Sequence, residues 1–174
     1  VQDIDCTVVG DALAFAKIVA RYFSSKAVIY ERFRTALVPV GGYKLEFVGT
    51  RKEEYESDSR KPIVTEGTLF DDLRRRAFTI NAMAVSLNAR TLGELIDVFD
   101  GREDLERKIL RTPLEPKTTF SDDPLRMMRA ARFAARFGFA IEPEALEAMT
   151  AMSDRIRIIS QERITDEFMK MLGA

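Results

Sequence analysis

Two acids one residue apart, Asp3 and Asp5 in "DIDCTVVG", and an acid and a base three residues apart, Asp123 and Arg126 in "FSDDPLRMMRAARF", have residue types and spacings that can do chemistry. In a strand, alternate side chains share a face, so Asp3 and Asp5 project together and can share a divalent ion. Glu46 lies in a later strand-like run, "YKLEFVG". If that strand runs beside the first, a third carboxylate reaches the same edge, and three converging acids make a site for one or two magnesium ions of the kind that clamp phosphoryl transfer. Without such a neighbour, Asp3 and Asp5 are the solvent face of an edge strand. Asp123 and Arg126, read as neighbours on one face of a helix over 122–137, set a hydrogen-bond acceptor beside a fork of donors. The competing reading is an ordinary helix start, with Asp122 or Asp123 as cap, Pro124 at an early position and Arg126 paired with a surface acid. Arg129, Arg132 and Arg136 follow within about a third of the helical circumference. That row can hold a triphosphate or the end of an RNA, or it can be a solvated face.

Composition removes many alternatives. The chain has 174 residues, one cysteine (Cys6) and no histidine, so disulfide frameworks, zinc sites and imidazole acid–base chemistry are excluded. Any metal must take oxygen ligands, which favours magnesium, manganese or calcium. Hydrophobic residues at 46% and charged residues at 32% indicate a globular chain rather than a disordered one. No apolar run approaches membrane-spanning length and no basic-then-apolar segment opens the chain, which reads as a cytoplasmic protein with no membrane partner. The net charge of −1 hides local basic clusters, "RRRAF" at 74–78 and the arginine row, that suit a partner bearing phosphates.

The elements that must position these residues read as a mixed α/β fold followed by helices. "DIDCTVVG" is a strand ending at Gly10, and "DALAFAKIVARYF" is a helix capped by Asp11. "AVIYERF", "RTALVPV" and "YKLEFVG" are strands, with Gly41 and Gly42 as the hairpin turn between the last two. From Arg51 to Gly67 the charged, aperiodic text reads as a long loop, mobile over 52–66. A short helix "TLFDDLRRRAF", strands "NAMAVSL" and "ELIDVF", and helices over 122–137, 143–153 and 160–172 complete the chain. The change to helical composition places a boundary near Arg111, giving domains at 1–110 and 111–174. Arg157, Ser160 and Glu162 read as scaffold, and Phe137, Phe139 and Ile141 as core.

Six segments, "DIDCTVVG", "KLEFVGTRKEEY", "RRRAFTINAMAVSL", "LIDVFDGREDL", "FSDDPLRMMRAARFAARFGFAIEPEAL" and "ERITDEF", resemble in order and spacing the class II (bacterial-type) tRNA nucleotidyltransferase and poly(A) polymerase family. The resemblance covers nearly the whole chain. It implies a nucleotidyltransferase palm-type sheet with helices behind it, followed by a helical neck. Asp3 and Asp5 resemble the family's metal-binding pair and Glu46 its third catalytic acid, with Mg2+, or Mn2+, as cofactor. Arg75, Arg76 and Asn81 fall in the motif that addresses the ribose and phosphates of the incoming nucleotide. Residues 97–105 resemble the hinge between head and neck. Asp123 and Arg126 fall on the two residues that act as a protein template for the base, and the arginine row read from helical spacing adds Arg129 and Arg132 as candidate nucleotide contacts.

The activity this implies is addition of CMP and AMP to a tRNA 3′ end from CTP and ATP, with tRNA or another RNA 3′ end as partner. Poly(A) polymerase and an inactive nucleotide- or RNA-binding remnant are the alternatives. Two departures bear on the choice. A triphosphate-holding segment that the family carries ahead of its metal strand is absent from this sequence, as are the domains that grip tRNA, which marks it as a head-and-neck fragment. Ala77 stands where the family has an aspartate after its two arginines.

Overall fold

A computed structural model describes residues 3–54 and 63–173 of the chain. They divide into two compact units, residues 3–54 with 63–72 and residues 73–173.

The first unit is built on β1 (Asp3–Val8), α1 (Ala12–Tyr22), β2 (Val28–Tyr30), β3 (Thr35–Val40) and β4 (Tyr43–Gly49). The sheet runs β1-β4-β3-β2, with β1 parallel to β4 and the other pairs antiparallel. Gly41 and Gly42 turn the β3–β4 hairpin with φ of 53° and 88°, the left-handed pair that a two-residue loop needs to match strand twist. Asp11 caps α1 by accepting from the Ala14 N–H at 2.9 Å. Ala12, Ala16 and Ala20, four residues apart, form the helix's buried stripe against Ala36, Val38 and Phe47. These small side chains let α1 lie close on one face of the sheet, and the opposite face carries Asp3, Asp5 and Glu46 beside Leu37 and Val48.

The stretch expected as a long loop contains a hairpin, β5 (Arg51–Glu54) paired antiparallel with β6 (Ile63–Glu66). The loop reading is therefore corrected at its two ends, which are paired strands, while 55–62 lie outside the described residues. Four residues per strand, charged on one side of the pair, give too little apolar alternation for the sequence to show a strand.

α2 (Leu69–Arg74) leads into the second unit, where β7 (Met83–Val85) pairs antiparallel with β8 (Leu95–Asp97). α3 (Gly101–Arg107), β9 (Ile109–Leu110), α4 (Pro116–Asp122), α5 (Leu125–Phe137), β10 (Ala140–Ile141), α6 (Pro143–Met152) and α7 (Gln161–Leu172) follow. Two apolar clusters hold it, Phe120, Met127, Ala145 and Ala148 in one and Phe78, Leu110 and Ala130 in the other. Compactness does not divide the chain where composition changes, near residue 111, because 73–110 packs with the later helices. β9 pairs with β10, the Phe78 and Phe133 rings meet at 5.7 Å, and the Thr79 N–H donates to the Arg111 carbonyl at 2.9 Å. A buried Asp104 ties this segment further, accepting from the Thr79 hydroxyl at 2.6 Å and from Arg111 Nε at 3.0 Å. Gly101 lies so close to the Thr79 carbonyl that a Cβ there would stand 2.3 Å from its oxygen.

The expected helix over 122–137 starts later, as α5 at Leu125, and a separate, unexpected helix, α4, stands ahead of it. α4 ends at Asp122, Asp123 is extended with φ −142° and ψ 98°, and α5 starts at Leu125. Pro124 is the cause, because its ring disfavours helical backbone at the residue before it.

Candidate functional site

Parallel pairing of β1 with β4 sets Asp5 directly opposite Glu46 and Asp3 opposite Lys44. Residues opposite one another share a face, so Asp3, Asp5 and Glu46 lie together on the side of the sheet away from α1, and all three are exposed. Cys6, on the other side, packs against the α1 cluster, and burial followed by the charge of Asp5 pushes its thiol pKa up, which makes it a poor nucleophile. The three acids offer oxygen donors only, a set that fits a hard divalent cation. Among the described residues, no three such side chains converge into a metal-ligand cluster. What the fold supplies is the backbone juxtaposition.

In the second unit the acid–base pair has a different geometry from two neighbours on one helix. Asp123 stands in the link ahead of α5, and Arg126 sits in the first turn, its N–H donating to the Asp123 carbonyl at 2.9 Å. Arg126 is 7% exposed. Its guanidinium donates to the Arg75 carbonyl at 2.7 Å and the Thr119 carbonyl at 3.3 Å, which joins the "RRRAF" segment to the α4–α5 junction. The Asp123 carboxylate accepts from the Leu125 N–H at 3.3 Å and from Arg163 Nη2 at 2.9 Å. Arg155 donates to the Ser121 carbonyl at 3.3 Å. Three guanidinium groups from three elements thus converge on residues 119–123, and two of them donate to carbonyls in the last turn of α4, where the helical ladder runs out.

The remaining expected nucleotide contacts fall in several environments. Arg75 and Arg76 are half-buried, and Asn81 is exposed at the end of a 3-10 turn, Thr79–Asn81. Arg132 has its side chain 12% exposed, donates through Nε to Glu167 at 2.6 Å and lies 4.5 Å over the Phe133 ring. Arg129 reaches the other Glu167 oxygen at 3.6 Å with its side chain 40% exposed. Arg136 is exposed beside the Phe137 ring. Ala77 is half-buried and packs on the Phe78, Leu110 and Ala130 cluster.

Arg155, Arg163 and Glu167 carry this arrangement and were not singled out as site residues by sequence reasoning. Their signal is present in "ERITDEF", where Arg163 and Glu167 are four apart on one helical face. Opposite charges at that spacing usually pair with each other. Here each pairs with α5 or its leading link instead.

A family profile described as "Poly A polymerase head domain" matches residues 1–111, and one described as "Probable RNA and SrmB- binding site of polymerase A" matches residues 138–174. An A-adding tRNA nucleotidyltransferase of Halalkalibacterium halodurans is 37% identical over 170 residues, covering 95% of this chain and 39% of that protein. A CCA-adding enzyme of Lactobacillus helveticus is 36% identical over 173 residues, covering 98% of this chain and 41% of its own length. The crystal structure of a tRNA nucleotidyltransferase complexed with a primer tRNA and an incoming ATP analog superposes with a TM-score of 0.85 at 33% identity, over 99% of this chain and 51% of the other. The chain therefore spans about two-fifths of the length of these two curated relatives. No helix among the described residues is long and apolar enough to cross a membrane. With acids in register across β1 and β4, a mixed sheet, a helical second unit and a head-domain match over most of its length, the chain belongs to the class II tRNA nucleotidyltransferase and poly(A) polymerase family.

Proposed function

We propose that the chain is the head (1–110) and neck (111–174) of a template-independent RNA nucleotidyltransferase that adds CMP and AMP to a tRNA 3′ end from CTP and ATP, releasing pyrophosphate. The observation that carries the reading is the β1–β4 register, which sets Asp5 against Glu46 with Asp3 on the same exposed face. Relatives named for this reaction support it. Asp3, Asp5 and Glu46 would hold Mg2+ or Mn2+, which when bound lowers the pKa of the attacking 3′-hydroxyl and stabilises charge on the α-phosphate. Arg75, Arg76 and Asn81 would bind ribose and phosphates, with the part-exposed Arg129 adding positive charge along α5, while Arg132, expected as a further contact, is committed to Glu167.

Base choice falls to Asp123 and Arg126. The Asp123 carboxylate accepts from the exocyclic amine of adenine or cytosine, while Arg126 donates to the neighbouring ring nitrogen. Two of the five Arg126 N–H donors are engaged by backbone carbonyls, so the group is oriented and still has donors to spend. Guanine and uracil present a carbonyl to the carboxylate and lose both bonds, a discrimination on the order of a few kcal/mol in a dry pocket.

The test is turnover by the full-length protein on a labelled tRNA lacking its terminal nucleotides. Ordered addition of C, C and A supports the proposal. Addition of A alone is the second reading, favoured by the A-adding relative. Homopolymer tailing or no transfer in the presence of Mg2+ overturns it. Exchanging Asp123 and Arg126 in that protein should weaken use of ATP and CTP and admit bases with the opposite edge pattern, and unchanged base preference would remove their template role.

A further inference from the structure

We propose that Arg163 is a positioning residue for base choice, acting from α7 through its ion pair with Asp123; the inference rests on the template role proposed for Asp123. Asp123 is the extended link between α4 and α5, its N–H donating to the Thr119 carbonyl at 3.5 Å and its carbonyl accepting from the Arg126 N–H at 2.9 Å. Its backbone is thus held at both ends, while the direction of its carboxylate is left to side-chain contacts. Its local contact, the Leu125 N–H at 3.3 Å, is long. The Arg163 contact at 2.9 Å is charge-assisted and shorter, and the Asp123 side chain is 18% exposed, which limits screening. A carboxylate has about four lone-pair directions, so two contacts leave capacity for one base amine. Arg163 thereby selects which direction remains open.

Arg163 is itself placed by a second contact one turn along α7. Glu167, 2% exposed, takes Arg132 of α5 at 2.6 Å, and so sets α7 against α5 in the register that brings Arg163 to Asp123. Base choice on this account depends on a side chain that never meets the base. A methionine at 163 would keep most of the packing and remove the donor, leaving Asp123 free to turn.

The experiment measures kcat and KM for ATP, CTP, GTP and UTP with a tRNA acceptor, in the full-length protein and its Arg163→Met, Arg163→Lys, Arg163→Gln and Asp123→Ala variants. Arg163→Met is expected to lower the preference for ATP over GTP and for CTP over UTP about tenfold, the effect of losing one charge-assisted hydrogen bond, mainly by raising KM for ATP and CTP. Arg163→Lys restores most of the preference. If Arg163→Met does not fold, Arg163→Gln, which keeps a donor without charge, is expected to lie between Lys and Met. A uniform fall for all four nucleotides with unchanged ratios overturns the inference, since a purely structural residue acts in that way. If Asp123→Ala loses base preference while the Arg163 variants keep it, the inference fails and the template reading stands. If Asp123→Ala keeps wild-type preference, the template reading fails and this inference fails with it.

Discussion

Replacing Glu167 by methionine tests whether the α5–α7 contact rests on a buried charge. Glu167 is 2% exposed, and its strong partner Arg132, 2.6 Å away, has a side chain only 12% exposed. The second pair, Arg129 at 3.6 Å with its side chain 40% exposed, is screened and contributes about 0–1 kcal/mol. Glu167→Met strands the Arg132 guanidinium among apolar neighbours, and removing one partner of a buried pair costs about 3–5 kcal/mol. Because Arg132 keeps some access to water, the lower end applies, about 3 kcal/mol. In a domain of this size each kcal/mol moves Tm by about 2–4 °C, so a fall of about 6–12 °C is expected. The double variant Arg132→Met/Glu167→Met buries no charge, keeps similar volume and should fall within about 1–2 kcal/mol of wild type. The assay is urea unfolding followed by far-UV circular dichroism for wild type, both single variants and the double, closed as a double-mutant cycle. A Glu167→Met cost below about 1 kcal/mol, or a double variant as unstable as the sum of the singles, would refute the reasoning.

Thermal protection by Mn2+ with ATP should reach about 5–10 °C at ligand near one hundred times its Kd, and Asp5→Asn should abolish it; equal protection in the variant would move the metal away from β1. Ala77→Asp should strengthen discrimination of ATP against dATP about tenfold, through a restored bond to ribose. It should also lower Tm by about 2–8 °C, because Ala77 packs on an apolar cluster where a carboxylate costs about 1–2 kcal/mol, and an unchanged Tm would contradict that packing. The Glu142 carboxyl is raised above its ordinary 4.5, by burial first, with Arg111 opposing and Glu144 and Asp104 adding to the rise. A raised carboxyl binds its proton more tightly in the folded state, so its contribution is favourable in acid and is lost as pH climbs from about 4.5 through the raised value. Glu142→Gln should therefore gain stability relative to wild type as pH rises across that window in denaturant melts, and a constant difference between pH 4 and pH 7 would show that Glu142 is not the titrating group.

Where a feature depends on the chain's own period, the sequence determined it. Alternation in "DIDCTVVG" gave β1 and placed Asp3 and Asp5 on one face, the glycine pair gave the hairpin turn, and alanines four apart gave the buried stripe of α1. Some structure was present in the letters but outweighed: Pro124 disfavours helix at Asp123, yet the apolar and basic period over 122–137 suggested a helix already running at 122, whereas α5 starts at Leu125. The rest needed the tertiary structure. The Asp5–Glu46 register is a pairing of strands separated by α1, β2 and β3, and no local pattern specifies which strand lies beside which. The arginines of α5 carry one letter and one period, but Arg126 is buried on backbone carbonyls, Arg132 is held by Glu167 and Arg136 faces solvent. Helical periodicity is a property of the backbone and repeats along it. A charge instead takes its partner from whichever element lies within a few ångströms in space, and only the packing of α4, α5 and α7 decided that Asp123 would meet Arg163.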